Sequence, residues 1–297
     1  MSIDAGARDV DGAVETVAGR VRPLEQRRSL GRFLLTAVVL VWFGALILVP
    51  TLALARGALA GGLAAFWQAL STPDALRAFR LTLGITAVAT VVNTVFGLGF
   101  AVVLVRQKFW GKTLADGLVD LPFAVSPIIA GLMLVILYGP NGWFGRWLEP
   151  LGVRVVYAWP GMALATAFVT LPFVVREVVP VLREFGVDQE EVAYTLGAGR
   201  WRTFWSVTLP SVRWGLAYGV TLTVARALGE FGALLVVSGN ILGRTQTATL
   251  YIHDGIESFR TEGAYAASVA LAGVSFVMLI AMEAVRKRVQ GREGRGE

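Results

Sequence analysis

The chain has 297 residues, 27 Lys/Arg against 21 Asp/Glu, and a net charge of +6. Only 16% of its residues are charged and 55% are hydrophobic, where a soluble domain carries about 25% charged residues. So much apolar surface cannot be hidden from water in a domain of this size, which argues against a soluble enzyme. There is no cysteine, which excludes disulfides, thiolate metal sites, Fe–S clusters and cysteine nucleophiles.

The apolar residues gather into six runs, at about 33–55, 79–105, 118–138, 158–180, 214–237 and 264–285. A bilayer core of roughly 30 Å needs about 20 residues of helix. Each run can satisfy its own backbone hydrogen bonds, as lipid demands. The expected fold class is therefore an all-α integral membrane protein with six transmembrane helices over 33–285.

Residues 1–32 are polar and include Arg20, Arg22, Arg27, Arg28 and Arg32. They read as a weakly structured cytoplasmic arm, or as an arm ending in a short surface helix. Ala53-Leu54-Ala55 resembles a signal cleavage site. The apolar run before it is longer than the roughly 7–15 residues of a signal core, so an uncleaved anchor is expected. Gly111-Lys112-Thr113 imitates the end of a phosphate-binding loop, but the position that needs its first glycine is Arg106. No nucleotide site is expected in this chain.

In the third run, Ser126-Pro127 interrupts the helix, because proline frees a carbonyl. The break either kinks the helix or helps line a cavity. The loop at 139–157 carries Trp143, Phe144, Trp147 and Leu148, spaced for a helix on the outer membrane surface or for a plain aromatic loop. His253 is the sole histidine. It is expected on a solvated outer loop, and no metal site is expected.

Between the fourth and fifth runs lies a long polar segment. Asp188 can cap a helix, with Glu191 completing a capping box. Gly197 and Gly199 permit a turn. A second short helix then carries Arg200, Trp201, Arg202, Phe204 and Trp205, and Pro210 blocks its continuation and starts the next helix. This helix–turn–helix over 188–210 is either a knob that docks in a partner's groove or an amphipathic loop buried on the chain's own face.

Further on, Gly215 and Gly219 form a GxxxG pair suited to close helix packing. Arg226 and Glu230 stand mid-run, i and i+4, on one helix face. Two roles are open for this pair: assisting an anion through the membrane, or clamping helix five to a neighbour. Nineteen of the 27 basic residues fall on the side of the N-terminal arm, the 2–3 and 4–5 loops and the 286–297 tail. Both termini are therefore expected in the cytoplasm. The same bias explains a pI near 10 without nucleic acid.

Glu191-Val192-Ala193, Gly197 and Val207-Thr208-Leu209-Pro210 resemble the "EAA" signature of the membrane subunits of bacterial ABC importers, with Val192 and Val207 as mild departures. Other segments resemble the sulfate/thiosulfate permease family. They include Asp120-Leu-Pro-Phe-Ala-Val-Ser126-Pro127, Phe173-Val-Val-Arg-Glu177, Ala225-Arg-Ala-Leu-Gly-Glu230-Phe231 and Val237-Ser-Gly-Asn240. Ser126-Pro127 and Glu230-Phe231 look W-type.

The resemblance implies a type I ABC importer permease fold. It implies ATPase coupling through Glu190, Glu191, Ala193, Gly197, Arg200, Leu209 and Pro210, with Ala193 and Gly197 in close packing and Glu191 in polar contact. Ser126, Pro127, Arg226 and Glu230 become translocation-path candidates. The implied partners are an ABC ATPase dimer that binds ATP and Mg, a sibling T-type permease or a second copy, an external sulfate-binding protein, and membrane lipids. The chain itself would hold no cofactor and catalyse nothing. A molybdate or other oxyanion permease is the alternative within the class. A stand-alone secondary transporter is the alternative outside it, although no internal repeat supports one.

Overall fold

The computed structural model describes residues 25–293, and among these every regular element is helical. Residues 1–24 of the expected arm and 294–297 of the basic tail lie outside the described residues. The chain divides into two compact units, 1–53 and 54–297.

The described part of the first unit belongs to α1 (Glu25–Ala58), which continues into the second unit. Residues 32–58 of α1 are long and apolar enough to cross a membrane. Phe33, Leu35, Trp42, Leu46 and Val49 are all exposed, as expected of a helix whose solvent is lipid. Residues 25–32 continue this helix, so they form no separate surface helix.

The second unit contains α2 (Gly62–Leu70), α3 (Pro73–Arg106), α4 (Lys112–Ala124), α5 (Pro127–Tyr138), α6 (Gly145–Leu148), α7 (Trp159–Phe185), α8 (Asp188–Thr195), α9 (Arg200–Thr203), α10 (Leu209–Leu228), α11 (Gly232–Val237), α12 (Ala248–Glu257) and α13 (Thr261–Glu293). Helix α3 begins where Pro73 supplies a fixed φ and Thr72 Oγ1 accepts from the Ala75 N–H, a start signal that satisfies an otherwise orphan donor.

Helix α7 is the centre of this unit. Its buried face is small or β-branched, with Ala163, Ala165, Thr166, Thr170, Val174 and Val178, so α3 and α10 pack closely against it. Two apolar clusters stack along it. One gathers Ile85, Met162, Val169, Leu234 and Leu250. The other gathers Leu98, Leu104, Val175, Leu182 and Val212. At the level between them, Asn93 Nδ2 donates to Ala167 O at 3.0 Å and to Thr170 Oγ1 at 2.7 Å, so a polar group buried at this depth is satisfied.

Among the described residues, four helices (α1, α3, α7 and α13) are long and apolar enough to cross a membrane as single rods, and α4 with α5 makes a fifth as a bent pair. The expected third span is no mild kink: α4 and α5 diverge by 113°. Proline forces the residue before it out of the helical region, and Ser126 sits at ψ 137°. The expected fifth span is also split, into α10 and α11 by a break at residues 229–231. His253 lies on helix α12, its ring 4.9 Å from that of Phe231, not on a loop. In the aromatic segment 139–157, Gly145–Leu148 form one turn, α6, followed by a 3-10 turn at Glu149–Leu151, with Trp143 and Trp147 exposed.

Candidate functional site: a helical knob and a pair of broken helices

The knob is α8, a turn, α9 and a π-turn at Phe204–Thr208 that leads into α10. Its turn is built on Gly197, at φ +86°. There the Gly197 N–H donates to Tyr194 O and the Ala198 N–H to Ala193 O, the two bonds of a Schellman C-cap, which needs a left-handed residue at this point. The expected capping box is absent. Asp188 lies in the first turn of α8 and Val187 holds the cap position with no side-chain bond.

Pro210 does not block continuation. It is the second residue of α10, and the backbone passes through without a break. In an α-helix its ring would collide with the carbonyl four residues back. The preceding π-turn, in which the Leu209 N–H donates to Phe204 O, widens the ladder at that point. Leu209 packs on the lower apolar cluster.

The outward face of the knob carries Glu191, Val192 and Leu196, the last 82% exposed, with Arg200 beyond the turn. Asp188, Gln189, Val192, Ala193, Leu196 and Val207 line a shallow, mostly apolar groove. Trp201, Phe204 and Trp205 form one aromatic cluster with ring centroids 5.5–6.2 Å apart.

Glu190 departs from the expected outward set. It is buried and accepts from Arg106 Nε and Nη2 at 3.2 and 3.0 Å and from Thr208 Oγ1 at 2.8 Å. It faces the body of the subunit and offers no surface to a partner. The reason is geometric. Successive helical residues point about 100° apart, so Glu190 and Glu191 cannot share a direction.

The two broken helices meet. A Cβ placed on Gly232 would come within 3.0 Å of Pro127 Cβ and 3.4 Å of the Ile128 backbone nitrogen. The start of α11 therefore lies against the start of α5. Ser126 is exposed there and Pro127 half-buried. Glu230 stands in the break before α11, not mid-helix as expected. Its side chain is 0% exposed and its Oε2 lies 2.7 Å from Arg226 Nη1. Its Oε1 accepts from the Ala233 N–H at 3.0 Å, and its backbone carbonyl accepts from Thr249 Oγ1 at 2.7 Å. One carboxylate thus neutralises the arginine and caps α11. Arg226 remains 34% exposed.

The GxxxG pair packs within the subunit. A Cβ on Gly215 would meet Glu177 O at 2.8 Å, and one on Gly219 would meet Val174 Cα at 2.9 Å, so α10 lies with its backbone against α7.

Sequence reasoning missed several charged residues. Arg106 enters the sequence pattern only as the residue that breaks the phosphate-loop spacing, with nothing to mark Glu190 as its partner. Arg176, on α7, holds α4 by a fork: Nη1 to Asp116 Oδ1 at 2.7 Å, Nε to Asp120 Oδ1 at 2.7 Å, and Nη2 to Asp120 Oδ2 at 2.6 Å. Asp116 and Asp120 are one turn apart in an otherwise apolar run, and that spacing was the available signal.

Residues 93–291 match the family described as "Binding-protein-dependent transport system inner membrane component". The chain is 45% identical over 276 residues to the sulfate transport system permease protein CysW of Synechococcus elongatus, covering 93% of this chain and 96% of that protein. It is 41% identical over 267 residues to the CysW protein of Escherichia coli K12, covering 90% and 92%. In fold it is similar to a chain of a crystal structure of a bacterial ABC transporter involved in the import of the acidic polysaccharide alginate, with a TM-score of 0.75 at 19% identity, covering 89% and 97% of the two chains. The chain belongs to the inner membrane components of binding-protein-dependent transport systems, the ABC importer permeases, and within them to the CysW-type group.

Proposed function

We propose that this chain is the membrane-spanning W-type subunit of an ATP-driven importer that carries sulfate or thiosulfate across the cytoplasmic membrane. The substrate follows the sulfate transport for which the CysW proteins are named, and this chain matches them along nearly its whole length. The observation that carries the mechanism is the exposed knob: a short helix ended by a fixed left-handed turn, presenting an apolar groove beside Ala193.

In this reading the groove receives a partner ATPase dimer, which holds ATP and Mg and performs the hydrolysis. Glu191, Ala193, Gly197 and Arg200 form the contact, while Leu209 and Pro210 pass its movement into α10. An external binding protein delivers the anion, and a T-type sibling or a second copy completes the passage. The broken pairs α4/α5 and α10/α11 each count as one span, which makes six. The basic bias then puts the 1–32 arm, the 188–210 knob and the 286–297 tail in the cytoplasm.

Non-helical backbone at membrane depth is tolerated where it faces protein or a water-filled cavity. The meeting of Ser126-Pro127 with Glu230–Gly232 is therefore the segment where the anion passes, with Arg226 presenting its free edge. Uptake of labelled sulfate by cells or vesicles holding the complex, competed by thiosulfate, molybdate and phosphate, tests the substrate. Thiosulfate is expected to compete and phosphate not to. Competition by molybdate alone would reassign the anion. Ala193→Arg tests the knob. Uptake is expected to vanish with the chain still in the membrane, and retained uptake would remove the coupling role.

A further inference from the structure

The guanidinium of Arg106 ends α3, where the exposed carbonyls of a helix terminus favour a cation. Its Nη1 donates to Leu182 O, in the last turn of α7, at 3.2 Å, which satisfies an otherwise orphan carbonyl. Its Nε and Nη2 grip Glu190, in the first turn of α8, and the same carboxylate accepts from Thr208 in the π-turn that opens α10. The ion pair is nearly dry, with side chains 15% and 10% exposed. Its partners stand 84 residues apart in the chain, so it welds elements that no local chain connection holds.

We propose that the Arg106–Glu190–Thr208 cluster is the joint through which displacement of the knob is transmitted to α3, α7 and α10 together, making Arg106 and Glu190 positioning residues for transport. The inference rests on the proposed coupling role of the knob and deepens it. Glu190 acts inward, through Arg106, and touches no ATPase. A fork of charge-assisted hydrogen bonds resists bending far better than a single apolar contact. The π-turn at Phe204–Thr208 leaves the ladder wide at the one point where α10 leaves the joint. A pull on α8 therefore moves the ends of α3 and α7 with it, and α10 follows through Thr208.

The test uses the full complex (both permease subunits, ATPase and binding protein) in proteoliposomes. It reads three quantities: ATPase co-purifying with the permease, ATP hydrolysed, and labelled sulfate taken up. Glu190→Gln and Thr208→Val are expected to retain the co-purifying ATPase and to lower sulfate carried per ATP by about tenfold, the size of a typical coupling free energy between sites. The exchange Arg106→Glu with Glu190→Arg is expected to recover part of that ratio. Thr208→Val removes only a hydroxyl and keeps the question answerable if Glu190→Gln fails to reach the membrane.

An unchanged ratio in both variants overturns the joint. So does loss of ATPase binding in Glu190→Gln, because it would make Glu190 a contact residue. Ala193→Arg separates the underlying reading. If that variant keeps both ATPase binding and uptake, the coupling role of the knob fails, whatever the joint variants do.

Discussion

The Arg106–Glu190 and Arg226–Glu230 pairs of the second unit are built differently. Arg106–Glu190 joins residues 84 apart and is surrounded by further partners, Leu182 O and Thr208. Arg226–Glu230 is local, i to i+4. Its carboxylate is wholly buried and its arginine a third exposed. The first pair has every strong group committed, as a structural joint requires. The second keeps a cation partly open beside two helix breaks, the feature on which its proposed role toward an anion rests. The same two residue types are thus placed differently: enclosed by partners in one place, with the cation partly open in the other.

The largest effect that can break this contrast is Arg226→Met. It strands the buried Glu230 carboxylate and should cost about 3–5 kcal/mol, read as a lowered Tm of the detergent-solubilised chain. Arg226→Met with Glu230→Gln removes the stranded charge and should recover most of that Tm. Uptake that stays absent in the stable double variant marks Arg226 as serving the anion. Uptake that returns with stability makes the pair a clamp.

Next in size is Arg106→Met, which should lower stability by about 1.5–3 kcal/mol through loss of charge-assisted bonds. Glu190 keeps the Thr208 hydroxyl and is 10% exposed where Glu230 is 0% exposed, so the loss should stay below that at Arg226. A larger drop in Tm at Arg106 than at Arg226 would reverse the contrast.

Between the pairs, Gly219→Val forces a side chain onto the α7 backbone at Val174 and should cost about 1–3 kcal/mol. Its Tm loss should exceed that of a valine placed on the open Gly84 of α3. Smallest is Gly197→Ala, at about 1–2 kcal/mol for a left-handed L-residue. Its signature should be uptake lost out of proportion to the small fall in Tm.

Much of this arrangement was legible in the residues. The apolar runs located α1, α3, α7 and α13, and Gly197 announced its turn, because both depend on local pattern and backbone sterics. Ser126-Pro127 announced a break but not its size, since the angle depends on what α5 packs against. The direction of Glu190 was not legible. Which of two adjacent acids faces inward is decided by Arg106, 84 positions away in the chain, and nothing between them encodes that meeting locally. The capping box failed as well. The chain enters α8 one residue early, at Val187, which places Asp188 inside the first turn, where it cannot cap. Pro210 marked the start of α10 correctly but not an interruption before it, because a π-turn, invisible in composition, relieved the collision that proline ordinarily causes.

The most direct test of the account is labelled sulfate uptake by proteoliposomes, measured with the chain alone and with its full set of partners, in the presence of ATP or of an ion gradient. Uptake is expected only when the sibling permease, the ATPase, the binding protein and ATP are all present. Uptake by the chain alone down an ion gradient would contradict it.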